Sequence, residues 1–407
     1  MICIRLRQAT AGIDNLNAKA RKILEDIQNQ CTGCQACSPY CPLLNKLEGL
    51  TPDEIARQIV GGQINEKARY FIQRCDLCGS CVCSCPTSVD IPGMVTAARA
   101  VLAEGALGSL EPYRPIWVDY DWNIFTTYRD TYHIDYSDLI KGKCDTLFFP
   151  GCALASYSPE LTRASFNWLA GRNRETGLLL ICCGLPLIQM GAAERAEKYM
   201  SALQHIVTES GAQRIVTTCP QCHCYLQADK ALAGVEVTSI YQLMADAGVR
   251  APASHHDKIT IHDSCPERQV KQGAYIRRIL SKYEIVEMEH SGGETICCGA
   301  GGLTGIVDPA VCTQRAETRM EEFRNVGATL CVTYCMTCAL TLSAVARGKV
   351  RHILELVFKL PLDYVEIRRR IEAMWQGEQG KYNLKRLETS SPQSLKHNYG
   401  GKANGYH

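Results

Sequence analysis

The chain has 407 residues, and its 44 lysines and arginines against 42 aspartates and glutamates leave a net charge of +2. That balance gives no argument for nucleic acid or an anionic membrane as a partner, and no basic run is interleaved with aromatics. The length predicts two to three domains, and a 46% hydrophobic share is ample for folded cores.

The start, Met1-Ile-Cys-Ile-Arg-Leu-Arg7, lacks the apolar core and small-residue cleavage site of a signal peptide. Of the 24 cysteines, those at cluster spacing are therefore read as metal sites in a reducing cytoplasm, not as a secreted disulfide framework. Residues 1–30 are assigned to an N-terminal helix. Over 14–30, Leu16, Ala20, Ile23, Leu24 and Ile27 share one stripe, with Asp14 as its cap.

Residues 31–95 hold two copies of the bacterial ferredoxin run, C-x2-C-x2-C-x3-C-P. The first is Cys31, Cys34, Cys37 and Cys41 before Pro42, and the second is Cys75, Cys78, Cys81 and Cys85 before Pro86. In such runs the fourth cysteine ligates the other cluster. Cys31, Cys34, Cys37 and Cys85 are accordingly assigned to one cubane [4Fe–4S] cluster, and Cys75, Cys78, Cys81 and Cys41 to a second. Zinc also accepts C-x2-C, but two complete runs closed by proline argue against it. Thr51-Pro-Asp-Glu54 opens a helix between the runs, with Glu54 placed as in a capping box.

Residues 96–144 are an aromatic-rich connector. Tyr113, Trp117, Tyr120, Trp122, Phe125, Tyr128, Tyr132 and Tyr136 alternate with aspartates and prolines. The favoured reading is a segment that drapes over the domains and packs its rings locally. The alternative is a docking strip for a partner, since aromatics are enriched in interface cores.

The body that follows is an internal duplication, 145–250 and 251–360. Asp145-Thr-Leu-Phe-Phe-Pro-Gly-Cys152 matches Lys258-Ile-Thr-Ile-His-Asp-Ser-Cys265, and Arg195-Ala-Glu-Lys-Tyr-Met200 matches Arg315-Ala-Glu-Thr-Arg-Met320. Each copy carries five cysteines at nearly repeating intervals. These are Cys152, Cys182, Cys183, Cys219 and Cys222, then Cys265, Cys297, Cys298, Cys335 and Cys338. Neighbouring cysteines such as Cys182-Cys183 and Cys297-Cys298 do not readily bridge each other, but both can face one metal cluster across a tight turn. The glycine after each pair suits that turn. Each copy reads strand, helix, strand, helix, strand, with parallel strands whose carboxyl ends bring the cysteines to one edge. Ala251-Pro-Ala-Ser-His-His-Asp257 links the copies.

The longest apolar stretch, Leu178 to Ile188, is interrupted by Cys182, Cys183, Gly184 and Pro186 and is well short of the roughly 20 residues of a membrane span. Membrane attachment is expected only through a partner. Residues 361–407 are assigned to a C-terminal helix and a tail, and the polar composition after about residue 376 predicts disorder. Six cysteines remain: Cys3, Cys83, Cys144, Cys224, Cys312 and Cys331. They are left outside the sites as small buried residues. The loop Gly299-Ala-Gly-Gly302 lacks the Lys-Ser/Thr of a phosphate loop and reads as close packing.

The paired five-cysteine motif resembles the cysteine-rich CCG domain. Over residues 14–360 the chain resembles the D subunit of heterodisulfide reductase, which joins two ferredoxin-type clusters to two CCG domains. The fold this implies is α/β plus α: a helical two-[4Fe–4S] ferredoxin-like module, then two duplicated α/β CCG domains with parallel sheets. The resemblance implies a noncubane [4Fe–4S] cluster on each set of five cysteines, with a small disulfide cleaved between the two. It implies a redox partner: a flavoprotein, a hydrogenase, a ferredoxin or a membrane cytochrome b. The expected location is cytoplasmic, or peripheral at the inner face of the membrane. His223 and His262 are the nearby candidates for proton delivery, and a structural role for each is favoured. A competing reading is a non-catalytic carrier subunit, similar to those of glycolate and anaerobic glycerol-3-phosphate dehydrogenases or of bifurcating and aromatic-ring-reducing complexes. Some relatives of that kind have incomplete CCG motifs, whereas both are complete here. The ferredoxin module and the CCG body are expected to fold separately.

Overall fold

The computed structural model describes residues 18–39, 41–229, 232, 234–253 and 258–392. Cys3, Asp14 and Leu16 lie outside the described residues, as do the end of the link between the copies and the chain after 392.

The N-terminal module is helical. Helix Ala18–Gln30 buries Leu24 and Ile27 and rests Ala20 and Ile23 on the same core. That core is completed by Ile55 and Ile59 of helix Pro52–Val60, Phe71 and Ile72 of Glu66–Arg74, and Met94, Val95 and Ala98 of Ile91–Leu102. Helix Pro52–Val60 begins where expected: the Glu54 carboxylate accepts the Thr51 N–H at 2.8 Å.

Each repeat contains a four-stranded all-parallel sheet, one strand more than the pattern predicts. Strands β1 (Thr146–Phe149), β2 (Thr176–Leu178), β3 (Arg214–Thr217) and β4 (Glu236–Ser239) lie in the order β2-β1-β3-β4. Strands β5 (Lys258–His262), β6 (Glu284–Ile285), β7 (Leu330–Thr333) and β8 (Val350–His352) repeat that order. The added strands, β4 and β8, carry no cysteine, so the motif that reveals the repeat does not mark them. The two sheets share one apolar core, which runs from Phe148 and Val216 through Tyr241 and Met244 to Ile259, Ile261 and Val332. Across it the Tyr241 hydroxyl donates to the Tyr334 carbonyl at 3.0 Å, with both side chains fully buried.

The connector packs its rings against the body. Tyr128 and Tyr136 are buried, and the Tyr136 hydroxyl donates to the Ala155 carbonyl at 2.8 Å. The polar stretch after residue 376, expected to be disordered, is instead the helix Gly377–Thr389. It closes over the connector: Arg386 lies 3.2 Å from the centroid of Trp122, and Arg114 Nε donates to the Leu387 carbonyl at 2.9 Å. Such partners are long-range in sequence, which is why composition alone reads this helix as loose.

The ferredoxin module, expected to fold separately, is packed and hydrogen-bonded to both repeats. Val311 of helix Pro309–Asn325 enters its core. Buried Arg99 donates to the carbonyls of Ile72, Gln73 and Cys75 in its own module, of Gln189 in the first repeat and of Gly302 in the second. One guanidinium thereby satisfies carbonyls from three parts of the molecule, using the forked donors that only arginine offers. Among the described residues no helix is long and apolar enough to cross a membrane.

Candidate iron–sulfur centres and the cavity between them

The ferredoxin cysteines lie near one another, with Cys85 beside Cys34 and Cys37 of the first run and Cys41 beside Cys75 and Cys81 of the second. Burial, aided by the neighbouring thiols Cys31, Cys85 and Cys41, pushes Cys37 up to about 11. Burial also holds Cys81 well above the usual thiol range, with Cys78, Cys75 and Cys41 adding to the effect. Cys34 is exposed, so the first set opens to the surface. Cys41 and Cys37 sit between the sets.

The strand ends of each repeat collect its five cysteines. In the first repeat Cys152 follows β1, Cys182-Cys183 follow β2, and Cys219 and Cys222 follow β3. Their thiols form a continuous chain. Cys182 is pushed up first by Cys152, Cys183 by Cys182, and Cys222 by Cys183. In the second repeat Cys297 is pushed up first by Cys265, and Cys338 by Cys298, whose Sγ lies 3.2 Å away. So many close, buried thiols cannot ionise together in a bare protein, because each thiolate disfavours the next. A bound cation removes that obstacle, since a coordinated thiol is deprotonated outright. The backbone also fits closely around the set: a side chain at Gly151 (φ +76°) would meet Cys219 Cβ at 2.9 Å.

The two five-cysteine sets face each other. The Cys219 thiol of the first repeat and the Cys335 thiol of the second are close enough across the domain boundary to shift each other, Cys219 down and Cys335 up. One cavity of about 170 Å³ is lined by all five cysteines of the first repeat and by Cys265, Cys298, Cys335 and Cys338 of the second. Apolar side chains such as Leu154, Leu185 and Met336 close its walls.

The ferredoxin module meets the second repeat at Cys78 and Cys297, whose thiols are close enough to shift each other, Cys78 down and Cys297 up. Between them lies Asp76, a residue that motif reading passes over. Its Oδ2 accepts from the Cys297 thiol at 3.0 Å and pairs with Arg315 Nε at 2.9 Å, and both charged side chains are buried. Burial raises Asp76 to about 6, against the opposing pull of Arg315. Arg315 also reaches Cys41 Sγ at 3.7 Å. Arg268 completes the joint, donating to Cys83 Sγ at 3.2 Å, to the carbonyls of Cys78 and Cys265, and to Thr295. The backbones of Gly301 and Gly302 press on Asp76 and Cys75, so the glycine-rich loop is indeed close packing, against a ferredoxin run. A signal for Arg315 exists in the sequence, because Arg195 stands at the matching place of the other repeat. Nothing in the run spacing marks Asp76 or Arg268.

Of the remaining candidates, His223 is turned to Thr217 and Thr238 and does not line the cavity, as a structural histidine would be. His262 is buried and lies with Cys298 and Cys338, the three donor atoms all within 4.8 Å of one another. His352, which the sequence does not single out, lines the cavity from β8. Cys144 and Cys331 are buried core residues. Cys224 donates to Gln269 Oε1 at 2.6 Å across the two repeats.

Known proteins agree with this architecture. The family described as a cysteine-rich domain, CCG, matches residues 146–227 and 259–343, and the 4Fe-4S dicluster domain matches 30–90. The chain is 26% identical to the B subunit of the fumarate reductase (CoM/CoB) of Methanothermobacter marburgensis, over 80% of this chain and 71% of the relative. It is 25% identical to the D subunit of the dihydromethanophenazine:CoB–CoM heterodisulfide reductase of Methanosarcina barkeri, over 83% and 93%. The glycolate oxidase iron-sulfur subunit of Escherichia coli is 22% identical over 84% and 96%. The chain therefore carries a 4Fe-4S dicluster domain followed by two copies of the cysteine-rich CCG domain on a duplicated parallel-sheet fold, and over most of its length it is similar to iron–sulfur subunits of redox complexes.

Proposed function

We propose that this chain is the disulfide-handling subunit of a redox complex, reducing or reversibly oxidising a small disulfide in the cavity between its two repeats. The observation that carries the reading is the single cavity lined by cysteines of both five-cysteine sets, with Cys219 and Cys335 as neighbours across the boundary. The proposed ligand sets are Cys31, Cys34, Cys37 and Cys85, then Cys75, Cys78, Cys81 and Cys41, each for a cubane cluster. Cys152, Cys182, Cys183, Cys219 and Cys222, then Cys265, Cys297, Cys298, Cys335 and Cys338, each hold a noncubane one. When bound, such clusters supply one-electron transfer and iron positions able to take sulfur.

The residues lay out an order for the path. Exposed Cys34 lies at the outer end, Cys37 and Cys41 join the ferredoxin sets, Cys78 and Cys297 join the module to the second repeat, and Cys335 and Cys219 join the repeats. The outer end is where a redox partner subunit, cytoplasmic or docked at a membrane, delivers electrons. The apolar cavity wall keeps water from the half-reduced state. Two electrons and two protons convert one disulfide to two thiols, so two one-electron donors such as reduced viologen balance the reaction. Reduced viologen with a panel of small disulfides, assayed on the anaerobically purified holoprotein, is the test. Thiol release at a rate above that of the viologen alone is expected. Electron transfer between partners with no disulfide cleaved would leave the carrier reading, which the likeness to the glycolate oxidase iron-sulfur protein favours.

A further inference from the structure

We propose that His262 donates a hydrogen bond from Nε2 to a sulfur of the second-repeat cluster, that Arg319 is the positioning residue fixing this tautomer, and that the second-repeat site is thereby the easier of the two to reduce. The inference rests on the reading that the second repeat holds a cluster.

The geometry starts at the end of β5. His262 has no exposed surface, and its Nδ1 accepts from Arg319 Nε at 2.9 Å. A guanidinium has donors only, so Nδ1 must offer its lone pair and the ring proton sits on Nε2. Arg319 is itself fully buried and anchored by the His290 carbonyl and Glu322, so the ring is held on that side. Nε2 finds no hydrogen-bond partner among the described residues, and a ring nitrogen of His262 lies within 4.8 Å of the Cys298 and Cys338 sulfurs; with Nδ1 taken by Arg319, Nε2 is the one left for them. A buried N–H aimed at two thiols is a donor in wait of sulfur charge. It is not an iron ligand, because ligation needs the Nε2 lone pair that this tautomer lacks.

The first repeat has no counterpart. The residue matching His262 is Phe149, the last residue of β1, and the residue matching Arg319 is Tyr199. The Tyr199 hydroxyl donates to the Cys182 carbonyl at 3.1 Å, a backbone oxygen and not a sulfur. Hydrogen bonds to cluster sulfurs are among the groups that set potential, and a donor favours the more negative reduced state. The extra donor stands in the repeat that touches the ferredoxin module at Cys78, where electrons arrive first.

The test is a reductive titration of the holoprotein followed by electron paramagnetic resonance. It is run in a Cys183→Ala background to remove the first-repeat signal. His262→Phe, which installs the first-repeat residue, is expected to weaken reduction about tenfold, a fall of about 59 mV for one electron. Iron content should stay at that of the background. His262→Gln, which can place an N–H near Nε2, should restore most of the shift. Arg319→Met should move the potential in the same direction as His262→Phe, and Arg319→Lys should move it less. An unchanged potential in a fully metallated His262→Phe variant overturns the proposal, as does histidine nitrogen coupling of ligand strength in the native protein. If His262→Phe alone loses iron, the Gln and Arg319 variants decide. Absence of second-repeat iron in the native protein sinks the cluster reading, and the inference with it.

Discussion

The two repeats share a strand order, a five-cysteine frame and a helix that carries an arginine at the same place, yet they are built into different surroundings. In the first, Arg195 pairs with Asp119 of the connector at 2.7 Å and lies over the Trp117 ring. In the second, Arg315 pairs with Asp76, which lies between Cys75 and Cys78 of the ferredoxin module. The cysteine environment follows suit. Phe149 and Tyr199 stand in the first repeat where the second has His262 and Arg319. Duplication has kept the metal-binding frame and changed what the frame is attached to. The second repeat is the side wired to the ferredoxin module, and the first is the far wall of the cavity.

The sharpest way to break this comparison is to damage the two frames at matching positions. Cys183→Ala and Cys298→Ala should each abolish viologen-driven disulfide reduction, and the double variant should be no worse, because residues acting as one unit are not additive. If Cys298→Ala keeps most of the activity, the repeats do not work jointly and the paired reading fails.

Metal content comes next. The whole protein should hold about sixteen irons, four clusters of four. Cys34 is exposed at the far end of the ferredoxin module, so Cys34→Ala should lose about four irons and leave the rest in place. Cys78 touches Cys297, so Cys78→Ala should disturb the second-repeat signals as well as its own cubane, and leave the first repeat untouched. Spectra of the two variants that are alike in the noncubane region would show that this contact carries no coupling.

The cysteine frame was legible because cluster ligation fixes spacing within one chain segment. C-x2-C-x2-C-x3-C and the CCG triplet survive whatever surrounds them. The parallel sheets were legible from apolar runs ending at those cysteines. What escaped is what depends on distant partners. β4 and β8 are short and carry no cysteine, and helix Gly377–Thr389 is polar because it packs through arginine against connector rings. Separate folding of the two modules was a fair inference from sequence separation. It leaves out the contacts between them, since Arg99, Val311 and Asp76 each reach across. None of the three has a local signature.

The matched arginines give a comparison of smaller effects. Arg315→Gln leaves a buried carboxylate without its cation, and loss of one partner of a buried pair costs about 3–5 kcal/mol. The Arg195–Asp119 pair is partly exposed, so Arg195→Gln should cost about 1 kcal/mol once solvent screening is allowed for. Chemical denaturation of the two holoproteins, followed by loss of iron absorbance, measures both. Equal costs would mean that Asp76 is not held as a charge, and the joint would then be simple packing.

The smallest effect concerns the gap itself. Tyr241 of the first repeat donates to the carbonyl of Tyr334, the residue before Cys335, at 3.0 Å. Tyr241→Phe keeps the ring, its edge contact with Tyr334 and the packing volume, and removes one buried hydrogen bond. The His352 ring also lies against the Tyr334 backbone, so that oxygen keeps a polar neighbour and the stability cost should be about 1 kcal/mol. The effect on disulfide reduction should be larger than that figure suggests. The bond holds the Cys335 turn against the first repeat, and a gap that must accept one sulfur on each side loses rate when its two walls are free to drift. A several-fold fall in turnover with iron content and midpoint potentials unchanged is expected. If turnover falls no more than stability does, the hydrogen bond is ordinary packing and the spacing of the two repeats is set elsewhere in their shared core.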